Sequence, residues 1–204
     1  MATHNPTATD PPRRRRDAQR SIARILDAAV DALASDPDVS MAEIARRAGV
    51  VRATIYMHFP AREALLEAVT QRAIAEVEQV INDAEPHRGP PAEALARVID
   101  ASWQRLGRYH ALVAINTQQH GHDELRQRHS SVLATLQPLI ERGQADGTFR
   151  ADVPAAWHLS MLMALIHAAS GELSAGRVDD ADAGTAVVAT ILGAVTARAA
   201  PANP

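Results

Sequence analysis

The sequence predicts an all-α protein, with a small helix-turn-helix domain joined by one long helix to a larger C-terminal helical domain. Three observations carry that expectation. Roughly a fifth of the 204 residues are Ala and only 3% are aromatic, so helix is favoured along most of the chain and sheet almost nowhere. Apolar residues recur at intervals of three and four over several long stretches. Ser40 to His58 carries the start, stop and restart signals of two short helices around a tight turn. A hydrophobic content of 47% suffices for one or two compact cores, and the absence of cysteine removes disulfides, thiolate nucleophiles and sulfur-ligated metals together.

Residues 1–16 are expected to form a disordered basic arm. Met1 to Pro12 is rich in Thr, Pro and Ala without apolar periodicity, and Arg13, Arg14, Arg15 and Arg16 follow as a basic run. Such a run is either a solvated charge cluster or an arm that reaches phosphates or a neighbouring minor groove. Ile22, Ile25, Leu26, Ala29, Val30 and Leu33 then mark one face of an amphipathic helix from Asp17 to Ala34, ended by the loop Ser35 to Asp38. Ser40 and Glu43 have capping-box spacing, in which the hydroxyl accepts the Glu43 backbone N–H and the carboxylate accepts that of Ser40. Met41, Ile44, Ala45 and Ala48 share the apolar face of the helix so started, and Gly49 supplies the left-handed residue that stops it. A second helix, Val51 to His58, should bury Ala53 and Ile55 and leave Arg52, Thr54, Tyr56 and His58 for another surface. That geometry lets a helix enter a DNA major groove.

The residues beyond the turn sharpen this reading. Thr54-Ile55-Tyr56-Met57-His58-Phe59-Pro60, leading into Arg62-Glu63-Ala64-Leu65-Leu66, resembles the tetracycline-repressor (TetR) family, whose signature joins a Gly-Val turn, a Leu/Ile-Tyr-x-His/Tyr-Phe recognition helix and a Lys/Arg-Glu-x-Leu-Leu start to the next helix. The resemblance is close over about the first third of the chain and extends to the rest only in helical layout. It implies that Tyr56 and His58 reach backbone phosphates while Arg52, Ala53 and Thr54 lie near base edges, and Ser40 is counted with them as DNA-facing. The chemistry agrees: Arg52 can donate twice to a guanine edge, and Ala53 or the Thr54 methyl can touch a thymine methyl. Arg62, at a helix N-terminus, suits a phosphate. Four positions depart from the family pattern. Leu33 and Asp36 replace a common Phe and Gly, a matter of packing. Val51 and Ala61 replace residues able to cap a helix, and each missing cap costs about 1 kcal/mol.

Charge is distributed as a DNA-binding module at the N-terminal end requires. Through Arg72 there are 11 Arg against 9 acids, or +2; from Ala73 onward there are 10 against 15, or −5, which restores the overall −3. All 21 basic residues are Arg, which suits bidentate phosphate contacts but is also what a GC-rich genome encodes.

Leu65, Val69, Ala73, Val77, Val80 and Ile81 predict one long helix, Ala61 to Ala84, crossing from the DNA module (17–66) into the second domain (67–199). Glu85 to Pro91 breaks it. Helices are expected at Ala92–Leu106, Tyr109–Gln119, Asp123–Gln144 with a kink at Pro138, Pro154–Ser174 and Asp180–Ala199, with 200–204 a disordered tail. Pro154 to Leu173 is apolar on nearly every side and so must be covered on two faces. Val187, Val188, Ile191, Leu192 and Val195 form a seam on the last helix, with Ala189, Gly193 and Ala194 small enough for close approach. A four-helix interface between two copies of the last two helices satisfies both, giving a homodimer with two-fold symmetry.

His120-Gly121-His122-Asp123-Glu124 with His129 looks like metal-ligand material, but its spacing matches no zinc signature and Asp123 and Glu124 suit a helix N-terminus. His110 and His167 add polar atoms to apolar helices near Trp103, Tyr109, Trp157 and Met161. In the family a small molecule binds among these helices and moves the long helix, so Trp103, His110, Met161 and His167 are the candidate pocket residues, and the Ala, Leu and Val content implies a mostly apolar effector. No nucleophile-base pair, phosphate loop or paired carboxylate stands at recognisable spacing, so no enzyme activity, cofactor or metal is expected. With no signal peptide or membrane-length apolar span, the chain is expected in the cytoplasm. The combined expectation is a ligand-responsive, homodimeric transcriptional regulator, in such families most often a repressor, on a palindromic double-stranded operator. A nonspecific or ligand-independent DNA-binding protein and a helical-bundle enzyme are the alternatives.

Overall fold

The computed structural model describes residues 11–197, and these contain ten α-helices and one 3-10 turn. They fall into two compact units divided at Val69 and Thr70. Residues 1–10, part of the expected arm, and 198–204, holding the expected tail, lie outside the described residues.

The first unit contains α1 (Pro11–Ser35), α2 (Met41–Arg47), α3 (Arg52–His58) and the start of α4 (Arg62–Asp83). Helix α1 begins six residues earlier than the apolar spacing indicates, so Arg13 to Arg16 belong to its first turns instead of preceding it as an arm. Proline is tolerated in a first turn and Arg is a good helix former, so neither opposes the extension. Ile25, Ala29, Leu33, Ile44, Ile55, Leu65 and Val69 are buried in this unit, with Phe59 closing its core.

In the second unit α4 continues to Asp83 and is followed by α5 (Pro91–Leu106), the 3-10 turn Gly107–Tyr109, α6 (His110–Gln119), α7 (His122–Arg128), α8 (Ser130–Ala145), α9 (Ala155–Ser174) and α10 (Asp180–Val195). The loop between α4 and α5 is tied down by two arginines: Arg97 donates to the carbonyls of Glu85 (3.3 Å) and Arg88 (2.8 Å), and Arg142 to that of Pro86 (3.0 Å).

Three expectations are corrected here. The single helix Asp123–Gln144 is two helices, α7 and α8, divided at His129. There the His129 backbone N–H (3.1 Å) and ring Nδ1–H (2.8 Å) both converge on the Leu125 carbonyl. Helix α8 runs through Pro138, where the carbonyl freed by the missing N–H belongs to exposed Ala134 and can be hydrated. The last helix ends at Val195 because the following residues pair with an earlier segment: Arg150 N–H donates to Val195 O (2.9 Å) and Ala197 N–H to Thr148 O (3.0 Å). The apolar seam of α10 is divided, since Val187, Ile191 and Val195 are buried in the unit's own core, leaving Val188 and Leu192 half-covered beside exposed Ala189 and Gly193.

Candidate DNA interface and ligand cavity

Helix α3 presents nearly all of itself to solvent. Ile55 is its buried residue; Arg52, Ala53, Tyr56 and Met57 are exposed, and Thr54 and His58 half-buried. Ala53, expected to be buried, faces outward: two residues from Ile55, it stands about 200° round the helix from it, so the two cannot share one buried face. The Arg52 guanidinium lies over the Tyr56 ring, 5.5 Å from its centroid, so the two act as one amphipathic surface. Val51 caps α3 by backbone only, with no side-chain hydrogen bond. Ser40 caps α2 by accepting the Glu43 N–H at 3.2 Å. The reciprocal half of the capping box is replaced: the Glu43 carboxylate accepts from Arg46 (2.6 and 2.7 Å) and Arg47 (2.9 Å), which hold it down at about 2.

Two arginines set the position of these helices. Arg24 of α1 donates to the carbonyls of Ala48 (2.8 and 3.1 Å) and Gly49 (2.7 Å), filling the open end of α2 where Gly49 turns left-handed at φ 64°. Arg62, expected to hold a phosphate, directs its two terminal nitrogens at the Pro37 and Val39 carbonyls and so fastens the α1–α2 loop to the start of α4. The sequence gives no local sign of either, since the partners lie 23 to 25 residues away.

The second unit encloses a cavity of about 90 Å³. Helix α4 supplies Thr70, Ala73, Ile74, Val77 and Ile81 to its wall; Ile99, Leu112, Leu133, Leu136, Leu162 and Met163 supply much of the rest. The polar lining is sparse. Asn116 donates to Thr70 Oγ1 (2.9 Å) and Leu112 O (3.0 Å), and Ser102 to Val98 O (2.7 Å). His129 and His167 stand edge to face with centroids 5.3 Å apart. Burial pushes the His167 imidazole down to about 4, helped by repulsion from His129 and His122, and burial also lowers His129 against the opposing hydrogen bond to Leu125 O.

Comparison with known proteins now places the chain. Residues 25–69 match the family described as bacterial regulatory proteins, tetR family, and residues 91–174 match the tetracyclin repressor-like C-terminal domain. The structure of a TetR transcription regulatory protein from Mycobacterium vanbaalenii is similar at 30% identity and a TM-score of 0.58, covering 89% of this chain and 98% of that one. The chain belongs to the TetR family. An 83-residue stretch is 36% identical to the HTH-type transcriptional repressor LfrR of Mycolicibacterium smegmatis, spanning 41% of this chain and 44% of that repressor. The structure of the TetR-like regulator LfrR from Mycobacterium smegmatis in complex with proflavine shares the fold, with a TM-score of 0.68 at 24% identity over 88% of this chain and 98% of that one. This TetR-family chain is therefore a helix-turn-helix transcriptional regulator and not an enzyme.

Of the four pocket candidates for this TetR-family regulator, His167 lines the cavity and Trp103, His110 and Met161 do not. Trp103 is wedged between the His110 ring, 4.8 Å away, and α10, where a Cβ on Gly184 would meet its ring at 2.9 Å. His110 Nδ1 is hydrogen-bonded to Ser170 Oγ (3.0 Å), tying α6 to α9. Met161 is half-buried, two residues from Met163, which lines the cavity. A helix apolar on every side gives no phase by which to choose between them. His120 pairs with Glu124 at 2.9 Å, and among the described residues no group of three or more His, Asp or Glu is placed to hold a metal. No helix among them is long and apolar enough to cross a membrane.

Proposed function

We propose that this regulator is a homodimeric repressor that binds a palindromic operator through α3 and is released by a small, mostly apolar effector held in the cavity. The observation that carries the reading is the composition of α4. Its first turns put Leu65 and Val69 into the core of the DNA-binding unit, and its later turns supply the cavity wall from Thr70 to Ile81. Ligand sites of this kind usually measure ~300 to 1,000 Å³. At about 90 Å³ the cavity must widen to accept an effector, and widening displaces α4 residues. Operator affinity then falls by the coupling free energy, typically about 1–3 kcal/mol. That LfrR is named a repressor, and that its structure was solved with proflavine, supports repression and a small-molecule effector here.

The DNA contacts follow the exposed face of α3: Arg52, Ala53 and Thr54 read bases, and Tyr56 and His58, with Arg13 to Arg16 and Ser40, contact the backbone. Dimerisation uses α9 and α10. Trp157 is 63% exposed and shares the outer face of α9 with Ala164, Leu165 and Ala168, while α10 offers Ala189 and Gly193. A two-fold dimer reads a palindrome. A gel-shift titration against the DNA upstream of the chain's own coding region tests this: a palindromic site that binds no more tightly than random DNA rejects the repressor. A monomeric mass by light scattering at micromolar concentration rejects the dimer.

A further inference from the structure

The cavity wall specifies more than an apolar guest. Among the described residues no Asp or Glu lines it, and its one charged side chain, Arg128, is directed at Glu124 (Nη2 to Oε1, 3.0 Å). The remaining distinctive polar feature is the imidazole pair. His129 Nδ1 faces the Leu125 carbonyl, which only accepts, so Nδ1 carries the proton and Nε2 is left as an acceptor. His167 has no hydrogen-bond partner among the described residues, and its neutral ring has one N–H to donate. Both rings line the cavity with centroids 5.3 Å apart, which brings an acceptor and a donor to one stretch of its wall.

We propose that the effector is a neutral, largely apolar molecule bearing one hydroxyl, which donates its proton to His129 Nε2 and accepts one from the His167 ring. This rests on the cavity being the effector site proposed above. A carboxylate has no proton to give His129 Nε2 and would bind only with proton uptake, which burial of both rings opposes. An ammonium can donate but meets no carboxylate on the wall. A hydroxyl satisfies both rings as they stand.

The test is calorimetric titration of the full chain with four para-propylbenzenes that differ in one substituent: para-propylphenol, para-propylbenzoate, para-propylbenzylamine and hydroxyl-free para-propyltoluene, the last matching the phenol in size. The phenol should bind about tenfold or more tighter than either charged analogue, with no net proton uptake between about pH 6 and pH 8. H167F should weaken the phenol about fivefold to tenfold and leave the toluene unchanged. Tighter binding of the benzoate or amine, no binding by any probe, proton uptake with the phenol, or equal weakening of phenol and toluene by H167F overturns the proposal; the proton measurement is made on the unaltered protein and does not depend on how the variant folds. Gel shifts with the operator separate the two readings. A phenol that binds as described without releasing DNA rejects the effector role and leaves the cavity chemistry standing, whereas release by the amine or benzoate alone rejects the hydroxyl and leaves the effector role standing.

Discussion

Lowering the pH should destabilise the second unit through His167, and H167F should remove that sensitivity. In the folded state burial, with repulsion from His129 and His122, holds this imidazole at about 4, against 6.5 for the ordinary group. Between those values the unfolded chain takes up a proton that the folded chain refuses. Stability is therefore full above about pH 6.5, is lost progressively as pH falls, and the loss levels off once the folded ring also protonates near pH 4. Moving from about pH 7.5 to about pH 5 should cost about 2 kcal/mol through His167. His129, also held low by burial, adds in the same direction.

The assay is denaturant unfolding followed by tryptophan fluorescence. Both tryptophans, Trp103 and Trp157, lie in the second unit, so the signal reports the part of the chain that holds His167. Protein concentration is kept fixed because a dimer of the kind proposed would add to apparent stability. Phe preserves a flat ring of similar size without the titratable nitrogens. Relative to the unaltered protein, the variant should gain about 2 kcal/mol on going from the higher to the lower pH. A difference that stays within about 0.5 kcal/mol at both pH values, or that changes in the opposite sense, refutes the reasoning.

Other perturbations address packing and the DNA-binding unit. G143A would put a Cβ 2.1 Å from the fully buried Phe149 ring and should lower stability by roughly 3 kcal/mol, read as a fall in melting temperature. R62M should loosen the loop held through Pro37 and Val39 and lower the stability of the first unit, while the slope of operator affinity against salt stays as it was; a flattened slope would show that Arg62 neutralises a phosphate. R52A should relax preference at one base pair by about 1–3 kcal/mol, measured by competition between single-base operator variants.

What was legible in the sequence was what is encoded locally. Ser40, the Met41-Ile44-Ala45-Ala48 face and Gly49 announce α2 and its end because cap, periodicity and left-handed turn all act within about ten residues. The loop Glu85 to Pro91 is legible for the same reason. Arg24 and Arg62 were not, since each resembles any solvated arginine until the fold brings carbonyls from 23 to 25 residues away to it. Around the cavity His167 stood out as a polar residue on an apolar helix. Met163 of α9, Asn116 of α6 and Thr70 of α4 did not, because which side of each helix faces a cavity is decided by the other helices packing around it.

Helix α4 shows why a filled cavity need not move the chain freely. Thr70, Ala73, Ile74, Val77 and Ile81 face the cavity, while Arg72 and Glu76, by helical period, lie on the opposite side. There Glu76 accepts from Arg72 (2.9 Å) and from Tyr109 Oη (2.8 Å), with Arg105 3.8 Å away. Burial pushes Tyr109 up to about 12 and the bond to Glu76 adds to it, so the phenol stays a donor; Glu76 resists its own burial because Arg72, Tyr109 and Arg105 hold it below the ordinary carboxylate range. If an effector widens the cavity by shifting α4 relative to Tyr109 and Arg105, the bonds to Glu76 must lengthen, so the clamp opposes the displaced state. Y109F removes one strand of it at a cost of about 1 kcal/mol, modest because Glu76 is partly solvated. If effector and clamp act on the same helix in opposite senses, the effector concentration for half-release of operator should fall several-fold in Y109F. An unchanged or increased concentration would mean that cavity filling leaves α4 in place and that release takes another route.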